Sequence, residues 1–344
     1  MVNDTTSQKD FILREGLISV MWRLALPAIV AMVLFGLNAF MDTVYIGQLL
    51  NENALAGVAL AYPLTGVTMG LGSWAGTGAG NLLSIALGKD DTTTQARILP
   101  NLTLFVLLTS LLFALPVYWF AEPLIRLMGG SGDILDYGVR YLSVTLLAAP
   151  LWVYGLALNF VVRSEGKMKQ AAIMMAYGLI VNLVLTPVLI VYGDMGVEGA
   201  AWATNVGMLV YCLVGYFYFR RGRASFAAGV KAIGYDGNTF GSIAKFGFPG
   251  FIISVMGLVQ AAVTFNAIVG VGTDDDLAFF AAANRIVLFL MTPLFGLMRA
   301  LQPVAGINYG AGRYGRVKDS LLLFVKTGFY LVAPFWQLLT IFPR

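Results

Sequence analysis

Residues 24–47 read LALPAIVAMVLFGLNAFMDTVYIG. A helix needs about 20 apolar residues to cross the hydrocarbon core of a bilayer. This stretch supplies them with a proline, Pro27, near its start and one carboxylate, Asp42, near its end. A run this long and this free of charge predicts a transmembrane helix. Its single acid then needs a reason, because a charge at the bilayer centre costs about 2.5–3.5 kcal/mol on insertion scales.

The same pattern recurs outward from there. Apolar runs predict spans at 18–46, 54–87, 98–120, 134–161, 169–192, 199–219, 240–270, 277–305 and 319–341. The fold expected is all-α and polytopic. Of the 344 residues, 58% are hydrophobic and 12% charged, with a mean hydropathy of +0.79. Soluble domains carry roughly 25% charged residues. The net charge of +4 is distributed as membrane orientation requires, so nucleic acid is not an expected partner.

Sixteen Lys and Arg residues fall on the N-terminal arm and on alternate loops, from Lys9, Arg14 and Arg23 through Arg220, Arg221 and Arg223 to Arg313, Arg316 and Lys318. Three, Arg126, Arg140 and Arg344, fall on the opposite side, which holds Glu52, Glu122, Asp136 and Asp194 instead. Positive charge stays in the cytoplasm. The expected placement is the inner (plasma) membrane with a cytoplasmic N-terminus. The run Asp274–Asp275–Asp276 reads as a solvated outer loop.

A gap-free shift of 222 residues lays the chain on itself. Pro27 meets Pro249, Leu55–Ala56 meet Leu277–Ala278, Met69 meets Met291, and Ile85 and Gly88 meet Ile307 and Gly310. Such parallel repeats occur in secondary transporters. The reading is an N-terminal lobe of six helices over residues 1–222, then a linker and three helices of a second lobe over 223–344. A second unit of six would run to about residue 444, so the chain reads as a twelve-helix architecture without its last three.

No histidine occurs, which removes His-based catalysis and His metal sites. The one cysteine, Cys212, cannot form an internal disulfide. Enzymatic chemistry is therefore not expected. Asp42 is the clearest functional candidate, with Asn38 one helical turn earlier on the same face. A carboxylate there can exchange a proton for a sodium ion or hold a cationic substrate. The alternatives are an interfacial Asp reaching outward or a structural acceptor. Asn182, Thr186 and Thr204 are polar residues in spans. With Asp42 they would form an all-oxygen set suited to a hard cation, although such residues also serve as interhelical glue. Gly72, Gly76 and Gly80 read as a close-packing stripe. Arg285 and Arg299 read as residues reaching toward opposite membrane faces.

Several segments resemble the multidrug and toxic compound extrusion (MATE) transporters. They are LALP (24–27) with MDTVYIGQL (41–49), GAGN (78–81) with ALGK (86–89), RSEGKMKQA (163–171) and NLVLTPVLI (182–190). VEGAAWAT (197–204), FGFPG (246–250) and LQPVAGINYGAGRYGRVK (301–318) complete them. The resemblance implies two six-helix lobes around a cavity. It implies export of drugs, organic cations or amphipathic compounds, driven by H⁺ or Na⁺, with no other cofactor. It places the coupling site at Asp42, Asn182 and Thr204, where a bound Na⁺ would sit, with Asn38 and Thr186 beside them. Where the family often has a second acid, this chain has Thr186. Met256, Gln260, Thr264 and Met291 are the expected second-lobe residues of the substrate cavity, and Pro27 the expected hinge of the first span. A monomer is expected, with small molecules and the lipid bilayer as partners. The rival readings are a lipid-linked oligosaccharide flippase, disfavoured by scarce intramembrane Arg, and a membrane-embedded transferase, disfavoured by dispersed acids.

Overall fold

The computed structural model describes residues 3–229, 233–271 and 274–341. Within them, the side chains of residues 3–7, many between 261 and 289, and four between 335 and 339 lie outside the description. Every regular element among the described residues is a helix. In order, the helices are α1 Asn3–Arg14, α2 Leu17–Leu49, α3 Glu52–Gly88, α4 Thr92–Trp119, α5 Ala121–Leu127 and α6 Gly132–Leu147. They continue with α7 Ala149–Ser164, α8 Met168–Pro187, α9 Gly196–Arg220, α10 Gly237–Val271, α11 Asp274–Gly310 and α12 Tyr314–Ile341.

Each predicted span falls on helical backbone, the fourth on two helices and the fifth on one helix with a π-helical turn. Among the described residues, six helices are long and apolar enough to cross a membrane, or seven when α6 and α7 count as one bent span. The distribution of side chains follows the lipid solvent. Leu108, Leu112 and Leu115 of α4 are exposed, whereas Ala75, Ala79 and Gly78 of α3 are buried. Large apolar residues outside and small ones between helices are what packing in lipid selects.

Three expectations change. The fourth span is not one helix: α6 and α7 meet at Ala148 with a bend of 56°. Pro150, at the start of α7, has no N–H to continue the ladder. The Ala148 N–H turns back to Thr145 O (3.2 Å), which leaves the Val144 carbonyl to be met by Asn205 Nδ2 (2.7 Å). The fifth span stops being α-helical at Pro187 and finishes as a single π-helical turn, Val188–Tyr192. The acidic run at 274–276 is not a loop at all; its backbone opens α11, where the helix dipole favours negative charge.

The 222-residue repeat is matched where α3 gives way to α4 and α11 to α12. Under that shift, the end of α3 at Gly88 falls on the end of α11 at Gly310, and the start of α4 at Thr92 on the start of α12 at Tyr314. The two repeats meet where α3 crosses α11. A methyl group on Gly88 would lie 2.3 Å from the Ile307 carbonyl oxygen, and one on Gly310 2.2 Å from that of Ile85. These are equivalent positions, so a pseudo-twofold axis passes between them, and only glycine permits the approach.

Two apolar cores result. The larger includes Ile12 and Leu13 of α1 and runs through α2, α3, α4 and α7 into Ile243, Leu297, Val304 and Phe324 of the second lobe. The smaller, around Ile46, Val58, Ile125, Leu142 and Val197, draws only on the first lobe among the described residues. The lobes are thus joined at the end that carries α1.

Candidate functional site: a cavity with one carboxylate

A cavity of about 320 Å³ lies within the first lobe, between α2, α3, α6, α7, α8 and α9. Its wall is aromatic and sulfur-rich, with Phe35, Tyr62, Tyr141, Trp152, Tyr211, Met69, Met175 and Met208. Asn38, Asp42, Asn182 and Thr204 also face it. Among the described lining residues, Asp42 is the single carboxylate, and none is Lys or Arg.

The polar residues form two groups. On α2, Asn38 Nδ2 donates to Asp42 Oδ2 (3.2 Å), as their one-turn spacing allows. Between α8 and α9, Asn182 Nδ2 donates to Thr204 Oγ1 (3.1 Å) and, more distantly, to Thr186 Oγ1 (3.4 Å). The hydroxyls of Thr186 and Thr204 donate to the carbonyls of Asn182 and Ala200 (both 2.9 Å). Their protons are committed to the backbone, so toward Asn182 they can only accept. That fixes the amide with its nitrogen toward the threonines and its oxygen away from them.

The consequence is a set of acceptors without donors. Asn38 Oδ1, Asp42 Oδ1 and Asn182 Oδ1 are buried and have no hydrogen-bond donor among the described residues. Buried acceptors usually find partners. Three oxygens in one cavity, one of them anionic, suit a proton, a hard monovalent cation or a cationic ligand. No group of three or more His, Cys, Asp or Glu occurs among the described residues, so the donor set is not that of a transition-metal site.

The five first-lobe candidates are therefore brought to one region, with Thr186 buried just behind the wall. The second-lobe candidates are not. Met256, Gln260, Thr264 and Met291 are absent from the lining, and Met256 and Gln260 are exposed on α10. Helix α2 runs unbroken through Pro27. The side chain of Arg285 lies outside the described residues. The guanidinium group of Arg299 lies over Phe160, 5.8 Å from its ring centroid.

Sequence reasoning missed Trp152 and Asn205. Trp152 Nε1 donates to Asn205 Oδ1 (3.3 Å), and Asn205 holds the α6–α7 bend, so the pair ties the cavity wall to the broken helix. The Asn directly after Thr204 was the only available signal.

A helical chain with apolar spans, an internal parallel repeat and a polar-centred cavity in one lobe defines a multi-pass membrane protein of secondary-transporter architecture. More narrowly, the chain belongs to the MatE family, whose model matches residues 27–188 and 250–344. The multidrug export protein MepA of Staphylococcus aureus (strain NCTC 8325) is 25% identical over 307 residues, covering 89% of this chain and 67% of MepA. MepA of Staphylococcus saprophyticus is 25% identical over 308 residues, covering 89% and 68%. Among solved structures, a MOP superfamily transporter from Pyrococcus furiosus matches with a TM-score of 0.89 at 23% identity, covering 96% of this chain and 74% of that one. A MATE structure in the bent conformation matches with a TM-score of 0.89 at 22% identity, covering 97% and 75%. At these identities the structural likeness speaks to the fold.

Proposed function

We propose that this protein is a secondary active exporter of organic cations and amphipathic compounds, which it exchanges for H⁺ or Na⁺ by alternating access. The observation that carries the reading is the isolation of Asp42: among the described lining residues it is the one charged group, in a cavity walled by aromatic rings, methionines and neutral polar side chains. An aromatic wall attracts cations through its ring faces. Methionines adapt to ligands of different shape. A lone carboxylate provides the one charge for which a proton, a sodium ion and a cationic drug compete. The export of drugs by MepA relatives points the same way.

The coupling site in this reading is Asp42 with Asn38, Asn182 and Thr204, and Thr186 orients Asn182. Sodium would use the unpaired oxygens of the first three. The absence of a second acid at Thr186 favours the proton, since one carboxylate suffices to carry it. With α1 in the cytoplasm, the joined end of the lobes faces inward and the cavity belongs to an outward-facing state. Ion binding would bias α2 about Pro27 toward the opposite state. The protein works as a monomer in the inner membrane, and its mechanism calls for no cofactor beyond the coupling ion.

The test is ethidium transport by the purified chain in proteoliposomes, under an imposed pH gradient or an imposed Na⁺ gradient. The wild type is expected to move ethidium against its gradient. Asp42→Asn, which keeps shape and removes charge, is expected to lower the ion-driven rate at least about tenfold, or about 1.4 kcal/mol. Unchanged ion-driven transport in Asp42→Asn would remove Asp42 from the mechanism.

A further inference from the structure

Below the cavity floor lie two arginines from different repeats. Arg163 ends α7 in the first lobe, and Arg299 belongs to α11 in the second. Arg163 is only 4% exposed, yet its Nε and Nη2 have no hydrogen-bond acceptor among the described residues. Both guanidinium groups rest on one ring: their Cζ atoms lie 4.0 Å and 5.8 Å from the centroid of Phe160. The two Cζ atoms are therefore within about 10 Å of each other. Neither forms an ion pair with a carboxylate among the described residues. Glu165, two residues from Arg163, is committed elsewhere: it accepts from Tyr218 Oη and the Ser225 N–H and pairs with Lys167.

Two like charges near each other at the lobe interface, one of them buried, oppose the packing around them. A ring face attracts each cation but neutralises neither. An anion between them would accept charge-assisted hydrogen bonds from both. A small space lies between them. A small cavity of about 10 Å³ is lined by both arginines together with Ala28, Asn159, Met168 and Met175. That is roughly the room one water-sized centre requires, too little for an organic acid or a phosphate head group. Flexible methionines allow the modest expansion that a halide needs. Asn159 donates to the Ala171 carbonyl (2.8 Å), and the buried donors left without an acceptor among the described residues are those of Arg163.

We propose that Arg163 and Arg299 form a binding site for one small monovalent anion of the halide class, which bridges the two lobes beneath the cavity. The site is separate from the cation-facing cavity above it, with Met175 contributing to the wall of both. Its occupant holds α7 against α11 by replacing mutual repulsion with two attractions. The inference stands whether or not the chain exports cations.

The experiment is equilibrium binding of radiolabelled chloride to the purified chain, with bromide as competitor, beside thermal unfolding in chloride and in gluconate at equal ionic strength. The expected result is saturable binding of one chloride per chain, displaced by bromide, with a Tm several degrees higher in chloride. Arg299→Gln should lose both the binding and the chloride-dependent shift. A wild type that binds no chloride saturably, with equal Tm in the two salts, overturns the proposal without requiring any variant to fold. A chloride shift that survives in Arg299→Gln overturns it as well.

Discussion

Asn205 shows how one side chain can hold both a backbone break and a cavity wall. It meets the Val144 carbonyl freed at the α6–α7 bend and accepts from Trp152. Asn205→Leu leaves both groups unpaired in a buried place, at about 1–3 kcal/mol each. The expected outcome is a Tm lower by several degrees, measured by thermal unfolding in detergent. Asp91 and Asp236 act more locally. Each caps the following helix through the N–H and hydroxyl of the threonine three residues on, Thr94 and Thr239. Those bonds hold both carboxyls below their ordinary range. Their stabilisation is complete above about pH 4, the ordinary Asp value, and is lost as the pH falls through the lowered values. Unfolding followed from neutral to acid pH should lose that part of its acid dependence in the double variant Asp91→Ala, Asp236→Ala. Asp42 was legible in the sequence because a lone carboxylate in an apolar run is conspicuous. Asn205 was not, because the carbonyl it serves exists only once the bend has formed.

Elements carry the second kind of information. The long apolar runs announced where helices cross, yet their uniform hydropathy concealed how they bend. Pro150 and Pro187 are both visible in the sequence. Only packing decides that the first breaks a span by 56° while the second is followed by a π-helical turn. Pro27, by contrast, sits in a helix that continues through it. Helix α1 escaped notice because it is too short and too polar to cross a bilayer. Its role is to strap the two lobes together. Gln8 Nε2 donates to the Gly166 carbonyl (3.1 Å), and Lys9 pairs with Asp90 (2.7 Å), both on the first lobe. Arg313 donates to the Leu13 carbonyl (2.6 Å) and Arg316 to that of Ile12 (3.0 Å) from the second. Ile12 is wholly buried beneath this strap. Ile12→Ala is expected to cost about 2–5 kcal/mol, read as a lowered Tm and faster proteolysis at the end of the molecule that carries α1.

At the scale of the whole molecule, the repeat organises everything else. It was legible from sparse identities and loop positions, and the turn from α3 to α4 recurs between α11 and α12 at the same 222-residue offset. What the sequence left hidden is the axis itself, since an unexceptional pair of glycines, Gly88 and Gly310, turns out to mark the crossing. Gly310→Val should force α3 from α11, because its Cβ would meet backbone rather than a movable side chain. Unfolding is then expected to split into two transitions where the wild type shows one. The repeat also separates tasks. The first lobe supplies every described residue of the cavity lining, and the core shared by the two lobes lies at the α1 end.

In the proposed exchange one carboxylate serves both coupling ion and substrate, so that each excludes the other. Binding of tetraphenylphosphonium to the purified chain, measured at neutral and acid pH and with and without Na⁺, tests it most directly. The wild type is predicted to lose about tenfold or more in affinity when protons or Na⁺ are raised. Asp42→Asn is predicted to bind more weakly and to ignore both ions. Equal ion sensitivity in the wild type and in Asp42→Asn would show that Asp42 is not the shared site.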